Sequence, residues 1–135
     1  MKTIRVSAAI IFNDKNEILI AERGYGDYKG YWEFPGGKRQ EGESGEDAAI
    51  REIWEELEMD IKVDSFLSTI EYDYPTFHLT MDSYLAHSKS DMINVKEHLA
   101  IKWSNIEELD DINWLPADVL VVEELKKRIY SKGML

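Results

Sequence analysis

The chain contains no cysteine, which excludes disulfides and thiolate metal sites from the start. A membrane-length apolar run is missing as well. The longest such stretch near the start, Val6 to Phe12, is broken by Ser7 and falls far short of the roughly 20 residues a span requires. No small-residue cleavage pattern follows it, so it does not read as a secretory signal, and cytoplasmic residence without a membrane partner is expected. Basic residues are scarce: 16 Lys and Arg stand against 27 Asp and Glu, for a formal net charge of −11. That field repels a polyanion, so no nucleic acid polymer is expected as a partner. A small phosphate ligand could be held only by placing cations between it and the protein. Internal repeats, low-complexity tracts and linkers are also absent.

What is present points to a folded enzyme-sized unit. A chain of 135 residues, 44% hydrophobic and 11% aromatic, is read as one domain over residues 1–135. Ile4 to Phe12 and Glu17 to Ala21 read as two strands of a hairpin around the turn Asn13-Asp14-Lys15-Asn16. Gly24 to Gly30 is a loop. Trp32-Glu33-Phe34 is a short extended piece, stopped by the breaker Pro35-Gly36-Gly37. Ile61 to Tyr72 and Phe77 to Ala86 make two further strands, and Leu99 to Trp103 another. Ser104 is placed to cap a short helix through Leu109, with Glu107 at capping-box spacing. Pro116 opens a last helix to about Tyr130, with Val119, Leu120, Val122 and Leu125 as its apolar positions. The order implies an α+β fold with a mixed sheet between helices.

The stretch Ser44 to Leu57 is helical in pattern. Ile50, Ile53, Trp54 and Leu57 form one apolar stripe, and at about 100° per residue Glu52, Glu55 and Glu56 collect on the opposite side. Like charges within one turn repel by a few tenths of a kcal/mol per pair. A hard divalent cation removes that repulsion. Taken alone, such a face is equally a solvated acidic surface.

The residues around the helix extend the pattern to Gly37-x5-Glu43-x7-Arg51-Glu52-Ile53-x-Glu55-Glu56. This string resembles the Nudix box at every required position but one, and so many fixed spacings are far more specific than a lone glycine motif. The resemblance implies a Nudix-type α/β/α sandwich. It implies Mg²⁺, or Mn²⁺ in its place, held by Glu52, Glu55 and Glu56 with a carbonyl of Gly36 or Gly37. Arg51 would orient the glutamates and Glu43 would steady the loop. Glu97, on a loop ahead of Trp103, resembles a further metal-binding glutamate of MutT-like members. Glu52 and Glu97 are the candidates for the base. His78 and His98 are weighed as ligands or bases against ordinary hydrogen-bonding roles, and His87 carries no functional argument.

Beyond the box, Trp32-Glu33-Phe34-Pro35-Gly36-Gly37-Lys38 is similar to the MutT and CTP-pyrophosphohydrolase branch, as is Arg23. Glu33, Phe34, Pro35, Gly36 and Lys38 are therefore candidate substrate contacts. Leu115-Pro116-Ala117-Asp118 resembles the branch's base-reading element, where the Asp118 carboxylate would accept from an exocyclic amino group. Its alternative is a plain helix start. Arg23 either contacts phosphate or base or ends a strand, and Lys38 and Arg39 either touch phosphates or stand in solvent. Phe34 and Tyr74, ahead of Tyr72, are candidates to wall the base. The activity implied is a Mg²⁺-dependent cut of a nucleoside triphosphate to monophosphate and pyrophosphate. CTP-like or oxidised purine nucleotides such as 8-oxo-dGTP are the expected substrates, handled by a monomer or weak homodimer. The alternatives are a Nudix hydrolase of ADP-ribose or a dinucleoside polyphosphate, and a non-catalytic nucleotide-binding module. The departure from the box is Glu58, where glycine is usual and a positive φ is expected.

Overall fold

The computed structural model describes residues 1–90, 92–96, 98 and 100–131. Strand β1 (Lys2–Phe12) is the axis of the molecule. It runs parallel to β6 (Phe77–Ser88) along its whole length, Lys2 opposite Phe77 through Phe12 opposite His87. β2 (Ile18–Glu22) meets it antiparallel at Phe12, giving the expected hairpin. β3 (Trp32–Glu33) and β7 (Ala100–Ser104) both pair with β2, and β5 (Ile61–Tyr74) forms the edge beyond β6. The seven-stranded sheet is thus mixed.

Successive residues of β1 enter opposite cores, as the period of two requires. Ala8 and Ile10 join Ile18, Ile20, Val121 and Leu125 on the side of helix α2 (Pro116–Ser131). Ala9 and Ile11 join Leu19, Ile53, Leu57 and Met59 on the side of helix α1 (Gly45–Leu57). A strand covered on both faces carries a continuous apolar run, which is why residues 6–12 resemble no surface strand.

Four expectations are corrected. Gly36-Gly37-Lys38 is no mere breaker but strand β4, antiparallel to β1 with Ser7 opposite Gly37. Trp54 is 54% exposed, and the buried stripe of α1 is Gly45, Ala48, Ala49, Ile53 and Leu57. In α2, Val119 faces solvent while Val121 and Ile129 are buried. The short helix is a 3₁₀ turn over Ile106–Asp111 capped by Asn105, whose N–H donates to Glu108 at 3.0 Å, one residue later than the Ser104 and Glu107 pairing.

Candidate active site

Helix α1 starts where Ser44 Oγ accepts from the Asp47 N–H at 3.0 Å. Its outer face presents Arg51, Glu52, Glu55 and Glu56, and the Arg51 guanidinium organises them. Arg51 Nε and Nη2 grip Glu43 as a fork, at 2.7 and 2.9 Å. Nη1 donates to Glu52 Oε1 and Glu55 Oε2, each at 2.9 Å, and Nη2 also donates to the Lys38 carbonyl at 2.9 Å. The Arg51 hydrogen bonds, helped by the Gln40 N–H, pull the Glu43 carboxyl down to about 2. Arg51 is correspondingly raised above its ordinary value, chiefly by the Glu43 hydrogen bond.

The loop that carries Glu43 is tied to the sheet through Arg39. Its Nε and Nη2 donate to the Glu43 carbonyl at 3.2 and 2.9 Å, and its Nη1 lies 3.4 Å from the buried Asp82. Asp82 also accepts from Arg5 Nη2 at 3.0 Å and Thr69 Oγ1 at 2.7 Å. Arg39 is therefore occupied in holding the loop, while Lys38 is exposed. Asp82 had no sequence signal, because only the parallel pairing of β1 and β6 brings it to Arg5.

Gly36 and Gly37 permit two close approaches. A Cβ on Gly36, whose φ is 157°, would stand 2.0 Å from the Ser7 carbonyl oxygen. One on Gly37 would stand 2.3 Å from Glu52 Oε2, so this glycine is the cradle in which the Glu52 carboxylate lies. The donors gathered here are all oxygen, three carboxylates and peptide carbonyls, and that set fits a hard divalent cation. Among the described residues no three acidic or histidine side chains converge on one point, since Glu52 and Glu55 both turn to Arg51. Glu97 lies outside the described residues.

A second network runs from this face toward the other end of the site. Arg23 Nη2 and Nε donate to Glu33 at 2.9 and 3.3 Å. His98, buried with only 7% of its side chain exposed, places Nε2 3.4 Å from Glu33 Oε2 and 4.0 Å from Glu56 Oε2. Burial works to raise Glu33, but hydrogen bonding from His98 and Arg23 outweighs it and holds the carboxyl below its usual range. Burial likewise opposes the charge on Arg23, and Glu33 more than restores it. His78 and His87 are instead taken up on β5, by Asp73 with Glu71 and by Asp64.

Phe34, next to Glu33, turns the opposite way into the α2 core and stacks on Trp114 with ring centroids 4.7 Å apart. Its N–H donates to Asp118 Oδ1 at 2.9 Å. Asp118 is 5% exposed, and burial pushes its carboxyl up to about 8. The Tyr74 hydroxyl accepts from the Ala117 N–H at 3.2 Å, and burial raises its phenol to about 12. Pro35 contributes its carbonyl, which accepts from the Ala9 N–H at 2.9 Å. Trp114 carries no distinct signal in the sequence, since an aromatic after a turn indicates core as readily as a pocket wall.

Known proteins are similar to this chain in sequence and fold. The family model described as NUDIX domain matches residues 1–132. The 8-oxo-dGTP diphosphatase of Escherichia coli (strain K12) is 31% identical over 128 residues, covering 94% of this chain and 99% of that protein. The CTP pyrophosphohydrolase of the same strain is 32% identical over 124 residues, covering 91% of each. The solution structure of the E. coli ORF135 protein matches with a TM-score of 0.80 at 32% identity, over 94% of this chain and 91% of that one. The chain therefore belongs to the Nudix family and is a Nudix hydrolase.

Proposed function

We propose that this Nudix hydrolase is a cytoplasmic nucleoside triphosphate pyrophosphohydrolase that cleaves between the α and β phosphates, releasing a nucleoside monophosphate and pyrophosphate. The observation that carries it is the placement of two consecutive residues. Glu33 belongs to the network reaching Glu56 on the acidic helix face, while Phe34 belongs to the pocket of Asp118 and Trp114. A substrate with a base at one end and phosphates at the other matches that layout.

In this reading Glu52, Glu55 and Glu56, with a carbonyl of Gly36 or Gly37, hold Mg²⁺ or Mn²⁺. When bound, the cation neutralises the phosphate charge and acidifies water. Arg51 keeps Glu52 and Glu55 aligned, and Glu43 keeps Arg51 in place. Glu52, pressed against Gly37 and held by Arg51, is a candidate to take the proton of the attacking water, alongside Glu97. Asp118 reads the base edge, beside the stacked Phe34 and Trp114. CTP and 8-oxo-dGTP, named for the two relatives above, are the leading substrates.

The test is a panel of nucleoside triphosphates, 8-oxo-dGTP and ADP-ribose, each incubated with Mg²⁺ or Mn²⁺ and resolved by chromatography. Monophosphate plus pyrophosphate is the expected product pair. Diphosphate plus orthophosphate, or hydrolysis of ADP-ribose alone, would overturn the proposal.

A further inference from the structure

His98 is the residue around which this structure is least explained by the family box. It lies outside the box, on no regular element, yet its side chain is 7% exposed and stands between carboxylates from two different elements, Glu33 of β3 and Glu56 of α1. Its other ring nitrogen, Nδ1, is buried and has no hydrogen-bond partner among the described residues. A surface-loop histidine with an ordinary structural role would satisfy that nitrogen with backbone or solvent. The imidazole is instead set by what faces Nε2.

We infer that His98 is a positioning residue, which ties the substrate arm Arg23–Glu33 to the metal-binding carboxylate Glu56. The inference rests on the Nudix hydrolase reading of the acidic face. Carboxylate oxygens accept and do not donate, so the proton between these groups sits on Nε2, which donates to Glu33 and faces Glu56 at 4.0 Å. Glu33 is already forked by Arg23 at 2.9 and 3.3 Å, so its position is transmitted to that guanidinium. The contact of 4.0 Å to Glu56 Oε2 sets the other side. Glu33 and Glu56 come from chain segments joined by no hydrogen-bond ladder, β3 pairing with β2 and α1 packing on β1 and β4. A donor held between them fixes the spacing of the Arg23–Glu33 arm and the acidic face of α1. Groups behind metal ligands act in this way: they set ligand orientation, and their loss lowers metal affinity or activity by about 10–100-fold.

The experiment compares wild type with His98→Ala, His98→Gln and His98→Leu. Glutamine can return an N–H near the Nε2 position, whereas leucine returns only volume. Mn²⁺ affinity is read by electron paramagnetic resonance without nucleotide, kcat and KM are read with CTP, and thermal melts report the fold. His98→Ala is expected to weaken Mn²⁺ binding and kcat/KM by about 10-fold or more. His98→Gln should recover most of both and His98→Leu neither, although leucine restores the melting temperature. Unchanged Mn²⁺ affinity in His98→Ala would overturn the inference, as would equal recovery by leucine and glutamine. Pairing His98→Ala with Glu33→Gln should add little to either single change, because both break one network, and full additivity would also overturn it. The Mn²⁺ measurement separates this result from the substrate proposal: a wild type that binds Mn²⁺ through His98-sensitive carboxylates but leaves all triphosphates intact defeats the proposed activity alone.

Discussion

Phe34 and Asp118, 84 residues apart in the chain, are joined by a 2.9 Å hydrogen bond from the Phe34 N–H to Asp118 Oδ1. The bond fixes one oxygen of a buried carboxyl, and in the proposed function the other meets the base. Burial pushes this carboxyl up to about 8, so below that pH the second oxygen carries a proton and offers a donor, and above it the group only accepts. A donor complements the O4 carbonyl of uracil, and an acceptor complements the N4 amino group of cytosine. The ratio of kcat/KM for CTP over UTP should therefore rise by roughly tenfold between about pH 6 and about pH 9.5. Asp118→Asn should flatten the rise. A pH-independent ratio in wild type would remove Asp118 from base selection. The stability sign is fixed by the same shift. The folded state holds a proton that the unfolded chain releases between 3.8 and about 8, so wild type loses stability as pH rises through that window. Asp118→Asn lacks this slope, and melts taken across the window check it.

Glu43 titrates in the opposite sense. Arg51 holds its carboxyl at about 2 against an ordinary 4.5, so the unfolded chain takes up the proton first as pH falls. The stability it contributes is complete above 4.5 and is lost as pH drops through about 2. Glu43→Gln should melt lower than wild type at neutral pH, and the two curves should converge toward about pH 2. A gap that stays constant down to that pH would show that the fork on Arg51 contributes nothing electrostatic.

Glu56→Gln should reduce kcat by about 100-fold or more while leaving the circular dichroism spectrum and melting temperature near wild type, because a ligand that supports charge neutralisation is worth several kcal/mol. Wild-type turnover at saturating Mg²⁺ would mean that Glu56 is not among the metal ligands.

Glu58 is the chain's departure from the Nudix box, and its backbone is left-handed, with φ 49° and ψ 33°. The Cβ clash there and the negative end of the helix dipole both disfavour glutamate. Lys96 opposes them with an ion pair at 2.7 Å, but its partners are 45% and 43% exposed, where such pairs contribute about 0–1 kcal/mol. Glu58→Gly is therefore expected to stabilise the protein by about 0.5 kcal/mol, read as a higher denaturant midpoint at unchanged slope. A lower midpoint would show that the Lys96 ion pair outweighs the backbone.

The contrast between Glu58 and β4 shows where the sequence was legible. Ser44 and the carboxylates of α1 are set within a few residues, by the cap and by the 3.6 period, whereas the positive φ at Glu58 follows from the resemblance to the Nudix box. Gly36-Gly37-Lys38 has no strand propensity at all. It is a strand because glycine alone lets its backbone lie against Ser7 and Ala8 of β1, a fact that belongs to the pairing and not to the segment. The period places Trp54 in the core, yet Ala48 and Ala49 are the buried residues beneath α1 and the indole stays outside. Arg39, His98 and Asp82 were ambiguous or silent for the same reason: each acquires its role from a partner tens of residues away.

The parallel pairing of β1 with β6 also sets when the protein can mature. Residues 2–12 leave the ribosome well before residues 77–87, the strand they zip to along their full length. At roughly 5–20 residues per second, β1 waits several seconds of synthesis for that partner. During that interval α1, with its acidic face, is already translated but rests on a strand with one long edge open. The newborn chain thus passes through a stage that displays an unpaired eleven-residue edge whose second half is apolar, the kind of surface that chaperones recognise and that other chains can capture.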